Sequence, residues 1–234
     1  MIESSPCTAN ISTIDLSQED YERLIEGIEN TPYTDERSFG FIPETVEPNR
    51  LSANLVFRTA TTIRDINEST QEIEDVQQKK TDLIPFSIDY DRTLLSVFSN
   101  KEDTKKLVTR LSGLADWGIS INSLSLDLSS VYKEISTREY SAQITGLRIS
   151  DFAINEYTNG SYHLNVFEEH EGQRLLREYT NDVSYVTVEY EMNHGTVSVG
   201  FYDSGSVRIY SKSTEDDELF SHVKDVIATV GGNQ

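Results

Sequence analysis

The feature that most constrains the fold is a self-similarity at a constant offset of 112 residues. Residues 90–99 (YDRTLLSVFS) match residues 202–211 (YDSGSVRIYS), with the Tyr, the Asp and the final Ser shared. Residues 10–17 (NISTIDLS) match residues 122–129 (NSLSLDLS) at the same offset, with Asn, Asp, Leu and Ser shared. Two distant segments with one offset indicate a tandem duplication. The alternative explanation is that the matches reflect only a common strand–turn–strand–helix pattern, because any such segment resembles another.

Each repeat, residues 1–117 and 118–234, is predicted to contain a strand, a helix, four or more antiparallel strands and a closing helix. Ser17 and Ser129 follow the opening strands and are predicted N-caps of the first helices. Asp20 lies at the third helical position, as in a capping box. The fold class is therefore α+β, built from two tandem β-α-(β)n-α repeats.

Two polar segments interrupt the hydrophobic pattern. Residues 65–80 (DINESTQEIEDVQQKK) and 168–182 (EEHEGQRLLREYTND) contain few apolar positions. Both are expected to extend hairpins or to form excursions from the sheet.

The charge of the chain supports two interpretations. The 234 residues include 40 Asp plus Glu and 20 Lys plus Arg, which gives a net charge of −20 and a pI near 4.5. In ordinary salt this argues against a nucleic-acid partner, because phosphate binding needs clustered cations. In a cell with molar cytoplasmic salt, however, acidic surfaces are general and say nothing about partners. The low lysine content and the spread of acidic residues favour such a halophilic origin.

Targeting signals and disulfides are not evident in the sequence. No apolar run approaches the ~18 residues of a membrane span, and the first ten residues lack the basic and apolar regions of a signal peptide. We therefore expect a soluble, cytoplasmic protein with no membrane partner. The single cysteine, Cys7, excludes an internal disulfide framework and a thiolate zinc cage.

Known catalytic motifs are missing, so no enzyme activity, catalytic residue or cofactor is predicted. The sequence has no phosphate-binding Gly loop, no CxxC, no HExxH and no Ser elbow. His163 and His170 flank Glu168 and Glu169, but a surface cluster is favoured over a metal site there. His222 is expected to project from the last helix into solvent.

Several segments resemble the TATA-box-binding protein family, whose plan is also a duplicated β-α-(β)n-α repeat. Residues 10–16 resemble the Asn-led strand that opens each family repeat, and Asn122 repeats the Asn. Residues 30–39 (NTPYTDERSF) resemble the Asn-x-x-Tyr segment and the Phe that follows it. Residues 202–209 resemble the Phe-x-Ser-Gly-Lys hairpin, and residues 90–93 do so more distantly.

This resemblance implies one curved antiparallel sheet, a saddle, with helices on its convex side. The concave face would bind the minor groove of A·T-rich double-stranded DNA, and other transcription proteins would dock on the helices. A central Asn pair would donate to minor-groove acceptors, aromatic wedges would unstack base steps, and arginines would flank the strands. The implied DNA-binding residues are Asn10, Asn122, Phe39, Tyr90, Tyr202, Arg92 and Arg208.

Departures from the family pattern support an alternative. The wedge positions 90 and 202 hold Tyr instead of Phe, and a Tyr hydroxyl needs a hydrogen-bond partner when it is buried. The second repeat also lacks the Asn-x-x-Tyr segment and has only residues 137–140 (TREY) there. The alternative function is an adaptor or assembly subunit that reuses the duplicated fold for protein–protein interaction without DNA binding.

Overall fold

The computed structural model describes residues 7–66, 69, 71–138, 141–155, 158–193, 195–210 and 216–231. These residues form an α+β fold. The strands are β1 Cys7–Asp15, β2 Phe39–Val46, β3 Arg50–Ile66, β4 Ile73–Asp89, β5 Leu94–Val97, β6 Ser120–Ser123, β7 Ala142–Asn155, β8 Thr158–Asn165, β9 Val183–Met192, β10 Gly195–Tyr202 and β11 Ser206–Ile209. The helices are α1 Gln18–Glu29, α2 Lys101–Leu114, α3 Leu128–Thr137, α4 Glu169–Glu178 and α5 Asp216–Gly231.

The chain forms two compact units. The larger unit comprises Met1–Ile14, Asp91–Phe98 and Ile121–Gln234, and the smaller unit comprises Asp15–Tyr90 and Ser99–Ser120. The larger unit therefore takes β1 and β5 from the predicted first repeat.

The larger unit contains a large antiparallel sheet with the strand order β5-β1-β11-β10-β9-β7-β8, and β6 also pairs with β1. Side chains alternate between the two faces of these strands. One face, which includes Ile11, Val207, Phe201 and Val188, joins the hydrophobic core formed with α3 and α5. The opposite face is mostly polar from β11 to β8 and is available to carry a site.

The smaller unit contains the antiparallel strands β2, β3 and β4 together with α1 and α2. Phe41 is in register with Leu55, and Leu55 with Ile84; all three are buried. The β3–β4 ribbon continues well beyond β2, whose pairing with β3 begins at the Phe39–Phe57 register. We call the continuation, Arg58–Ile66 and Ile73–Thr81, the β arm. The prediction that residues 65–80 extend a hairpin agrees with this arm.

Local capping explains where the helices begin. Ser17 caps α1, with Asp20 completing the predicted capping box. In α3, however, the N-cap is Asp127 and not the predicted Ser129, because the Asp127 carboxylate accepts hydrogen bonds from the Ser129 and Ser130 amides. Residues 168–182, which were expected to be a hairpin or an excursion, instead contain the helix α4.

The two halves of the chain agree at their ends and differ in between. The strands β5 and β11 are related by the offset of 112 residues, and each is followed by a helix. However, β2 lies at the edge beside β3, whereas β7 lies between β8 and β9, and α4 separates β8 from β9. Four strands keep the same order in the two halves, β2-β3-β4-β5 and β7-β9-β10-β11, and the second half differs by the addition of β8 and α4.

Candidate functional site

The polar face of the larger unit brings together tyrosine, arginine and histidine side chains. The strand register aligns Tyr202 of β10, Tyr185 of β9, Arg148 of β7 and His163 of β8 in one row across four strands. A neighbouring row aligns Arg208 of β11 with Gly200 and Thr187. We call the surface formed by Tyr185, Tyr202, Tyr210, Arg148, Arg208 and His163 the tyrosine–arginine face.

Tyr185 is the buried centre of this face, with an exposed fraction of 3%. Its ring centroid lies 4.4 Å from that of Tyr202, and its hydroxyl lies 2.7 Å from the Tyr210 hydroxyl. Thr187 Oγ1 donates to the Tyr185 hydroxyl at 3.0 Å. Burial raises the pKa of Tyr185, so this residue stays neutral and holds the neighbouring rings in place.

A glycine makes room for the buried ring. A Cβ added at Gly200 would lie 2.2 Å from the Tyr185 hydroxyl oxygen and 2.6 Å from a ring carbon. The Tyr185 ring therefore packs directly on the backbone of β10, which is possible only where no side chain is present.

Two arginines on this face have no ion-pair partner among the described residues. The Arg208 guanidinium lies 5.1 Å from the Tyr210 ring centroid, a cation–π contact. Its Nε atom is buried and has no hydrogen-bond partner within the described part of the chain. Arg148 is exposed between Tyr185 and His163. In a chain of net charge −20, two guanidinium groups without a carboxylate partner have the chemistry to contact an anionic or an aromatic group.

Three of the residues implied by the family resemblance share this face: Tyr202, Arg208 and Asn10. Asn10, however, lies in register between Val97 and Ser206, and only 9% of it is exposed. Its side-chain oxygen accepts a hydrogen bond of 2.6 Å from the Ser206 hydroxyl. Burial between β5 and β11 thus removes Asn10 from the surface that a base-contacting residue would need.

Asn122 and Arg92 also lie in the larger unit but away from the tyrosine–arginine face. Asn122 is exposed in β6, and its main-chain oxygen accepts a 3.4 Å hydrogen bond from Thr13. Arg92 pairs with Asp225 of α5 at 2.7 Å and donates to Ser221 at 3.1 Å. Arg92 therefore links the turn before β5 to α5, and its side chain does not flank an open strand.

Phe39 and Tyr90 lie in the smaller unit and contact its helices. The Arg110 guanidinium of α2 lies 4.1 Å from the Phe39 ring centroid, and Phe57 lies 6.2 Å from it. The Tyr90 ring lies 5.1 Å from that of Tyr21 in α1. Both aromatic side chains are engaged on the helix-facing side of this unit, which does not suit an inserted wedge.

The β arm is the second candidate site. Its nine register pairs run from Arg58–Thr81 to Ile66–Ile73, and among the described residues no third strand is in register with them. Three isoleucines of the arm are exposed: Ile63 at 37%, Ile66 at 61% and Ile73 at 72%. Apart from the Arg58 amide, which donates to the Ser38 carbonyl, the edges of the arm have no third strand among the described residues, so the ribbon and its exposed apolar side chains suit pairing with another chain.

His170, which lies near Glu168 and Glu169 in the sequence, contacts exposed carboxylates. His170 lies 3.4 Å from Glu168 and 3.6 Å from Glu171, and all three are exposed. Across the described residues no group of three or more potential ligands converges. None of the helices that the structure describes is long and apolar enough to cross a membrane.

His222 is buried, contrary to the expectation that it faces solvent. It is 8% exposed, and its ring packs 5.5 Å from that of Tyr190. Burial lowers the pKa of His222, and the nearby Arg138 lowers it further. The reason for the different position is that the helical face that includes His222 packs on β9 and α3.

The chain was compared with known proteins. No protein-family model and no curated protein matches it. Inference about function therefore rests on the tyrosine–arginine face and the β arm.

Sequence reasoning had singled out only Tyr202, Arg208 and His163 of the face. The signal for the missing residues was the outward alternation of Tyr185 and Thr187 next to Gly146 and Gly200, two glycines inside strands.

Proposed function

We propose that the protein is a non-enzymatic adaptor or assembly subunit that binds another protein chain through the β arm. The single observation that carries this proposal is the unpaired length of the arm. Nine consecutive register pairs extend past β2 with no third strand among the described residues.

A two-stranded ribbon that no other element covers is unfavourable in water. Such hairpins are marginally stable alone and gain stability when a third strand or a helix covers them. Free edges of this kind are templates for strand addition, the mode by which many domains bind extended peptides. The exposed Ile63, Ile66 and Ile73 add apolar area that a partner would bury.

The charge of the arm also suits a protein partner. Its 18 residues contain four basic and three acidic side chains, whereas the whole chain has twice as many acidic as basic residues. The arm is therefore nearly neutral within a strongly acidic chain, and it approaches another acidic chain with little repulsion.

A site-specific photo-crosslinker tests this function inside cells. The crosslinker is placed at Thr61 or Gln78, which face each other in the arm, and at the exposed Ser161 of β8 as a control. Discrete adducts of defined mass from the two arm positions, and none from Ser161, are expected. If the arm positions give no more adduct than Ser161, the arm is not a binding element and the proposal fails.

A second candidate function is binding of A·T-rich duplex DNA, as in the TATA-box-binding family. The observation that favours it is the placement of Tyr202 and Arg208 on one open polar face with Arg148. In the full family mode, both halves would form one saddle with helices on the convex side. The engaged positions of Asn10, Phe39 and Tyr90 are the reason why we rank this function second.

A gel shift with A·T-rich duplex across a salt series tests the second candidate. Binding through the tyrosine–arginine face predicts that Arg208→Ala weakens binding and lowers the salt dependence, because one phosphate contact is lost. Tyr202→Ala should reduce DNA bending. The absence of any shift at low salt would exclude this function.

A further inference from the structure

The β4 edge of the β arm has a charge pattern that is complementary to itself. Residues 74–80 of β4 read Glu-Asp-Val-Gln-Gln-Lys-Lys. The two acidic residues precede Gln77 by three and two positions, and the two lysines follow it by two and three positions. Reversing the direction of the strand therefore exchanges every negative position for a positive one.

We propose that the arm binds a second copy of this chain, with the two β4 edges paired antiparallel about a twofold axis at Gln77. This inference rests on the proposed assembly function and names its partner. Gln77 would face Gln77 of the second copy, Asp75 would face its Lys79, and Glu74 would face its Lys80. Opposite charges directly across an antiparallel pair stabilise that register, and like charges destabilise it.

The paired side chains also lie on matching faces of the ribbon. In this register a residue with an even number meets one with an even number, so Glu74 and Lys80 of the second copy share one face. Asp75 and Lys79 of the second copy share the other face. A contact in which the same patch is used by both chains closes as a dimer and leaves neither β4 edge open.

The ion pairs that Asp75 and Lys80 form within the chain do not oppose this pairing. Asp75 lies 3.7 Å from Arg64 across the hairpin, and Lys80 lies 2.6 Å from Asp82 along the strand. All four side chains are at least 40% exposed, and exposed ion pairs of this kind contribute little. In the dimer Asp75 would lie between Arg64 and Lys79 of the second copy.

The β4 edge suits a second copy better than the β3 edge does. Along β3 the arm has only three charged residues: Arg58, Arg64 and Asp65. Arg64 and Asp65 have opposite charges but are adjacent in the chain. An antiparallel β3–β3 register that pairs Arg64 with Asp65 of the second copy would therefore align opposite charges over only a few residues. Pairing through β4 also joins two ribbons into a sheet of four strands, which exceeds the minimum for independent stability.

Charge reversal tests the register. In sedimentation at 0.15 M salt, the wild-type chain should form a dimer. Lys79→Glu/Lys80→Glu and Glu74→Lys/Asp75→Lys should each weaken it about tenfold or more, because four opposite-charge pairs become like-charge pairs. An equimolar mixture of the two variants should recover a dimer, and so should the chain with all four changes. Lys101→Glu/Lys133→Glu makes the same charge change on exposed sites of α2 and α3 and should leave the dimer unchanged.

A cysteine at the proposed axis tests the geometry. In a Cys7→Ser background, Gln77→Cys should form an intermolecular disulfide, because residues directly opposite in antiparallel strands lie within disulfide distance. Thr62→Cys, at the register partner of Gln77 in β3, should not. If Thr62→Cys forms a disulfide-linked dimer and Gln77→Cys does not, the contact lies at the β3 edge, and the proposal is overturned.

The crosslinker at Gln78 separates this inference from the assembly function. An adduct at twice the mass of the chain supports the second copy. An adduct with a different chain, together with a monomeric wild-type protein, would overturn the dimer and leave the assembly function intact. No adduct from either arm position would overturn both.

Discussion

Gly200 packs against the Tyr185 ring on the polar face of the larger unit. Gly200→Ala would place a methyl group 2.2 Å from the Tyr185 hydroxyl oxygen. We expect a loss of about 1–3 kcal/mol in the free energy of unfolding, the usual cost of overpacking. Denaturant unfolding measures this loss. Gly160→Ala in β8, where a Cβ meets nothing within 4 Å, is the control and should change stability by less than about 0.5 kcal/mol. Equal effects at both glycines would contradict the packing described above.

His222 makes stability depend on pH. Its pKa is lowered by burial and by Arg138, while Asp225 and Glu134 act in the opposite direction. Below pH ~6.5 the unfolded chain takes up a proton that the folded histidine resists, so stability falls as pH falls. We expect His222→Gln to show a smaller difference in unfolding free energy between pH 7.5 and 5.5 than the wild type.

The exposed His170 provides the control for this experiment. His170→Gln should change the difference between the two pH values less than His222→Gln does, because the contacts of His170 with Glu168 and Glu171 are exposed and weakened by solvent. If His222→Gln and the wild type lose the same stability on acidification, His222 does not carry this dependence.

At the level of single residues, the sequence predicted some residues of the open face correctly but could not predict which of them neighbouring strands would bury. Tyr202 and Arg208 were expected on an open face, and both lie on one. Asn10 was expected there too, but β5 and β11 bury it because β1 lies between them. Which residues lie beside a strand depends on long-range pairing, and pairing is not encoded in local periodicity.

Among the four helices whose N-caps lie in the described residues, α4 has the weakest N-terminal signal. Ser17, Asn100 and Asp127 accept backbone hydrogen bonds as caps of α1, α2 and α3, but Glu168 makes no side-chain cap bond. Glu168→Ser should therefore stabilise the protein by about 0.5–1 kcal/mol, since Ser is a favoured N-cap. Thermal and denaturant unfolding measure this gain. Glu168→Gln removes the charge without adding a cap and should give no gain; an equal gain would show that the charge is responsible.

Elements with clear local signals were predictable, and elements that depend on their surroundings were not. The capping box at Ser17 predicted α1 correctly, and alternation predicted β5 and β11 at the shared offset. Helix α4 was missed because its segment has few apolar residues and no cap signal. The pairing of β7 with both β8 and β9 was not predictable, because it joins parts of the chain that local periodicity does not connect.

For the whole molecule, the net charge of −20 predicts a strong response to salt. Self-repulsion of a charged chain opposes the compact state. Raising KCl from 0.1 to 1 M shortens the screening length from ~10 to ~3 Å, and we expect the melting temperature to rise over this range. Glycerol at equal osmolality is the control and should raise it less. A melting temperature that does not respond to KCl would argue against a halophilic origin.

The position of β1 between β5 and β11 determines when the larger unit can finish folding on the ribosome. Ser206 and its partner Asn10 are 196 residues apart in the chain. At roughly 5–20 residues per second, β11 is synthesised about 10–40 s after β1. Until β11 is made, the Cys7–Asn10 part of β1 lacks its β11 partner, although β5, β6 and all residues of the smaller unit are synthesised earlier in that interval. A ribosome that stalls before β11 therefore leaves an unfinished sheet with an open edge, a form that quality-control proteases and chaperones can distinguish from the finished protein.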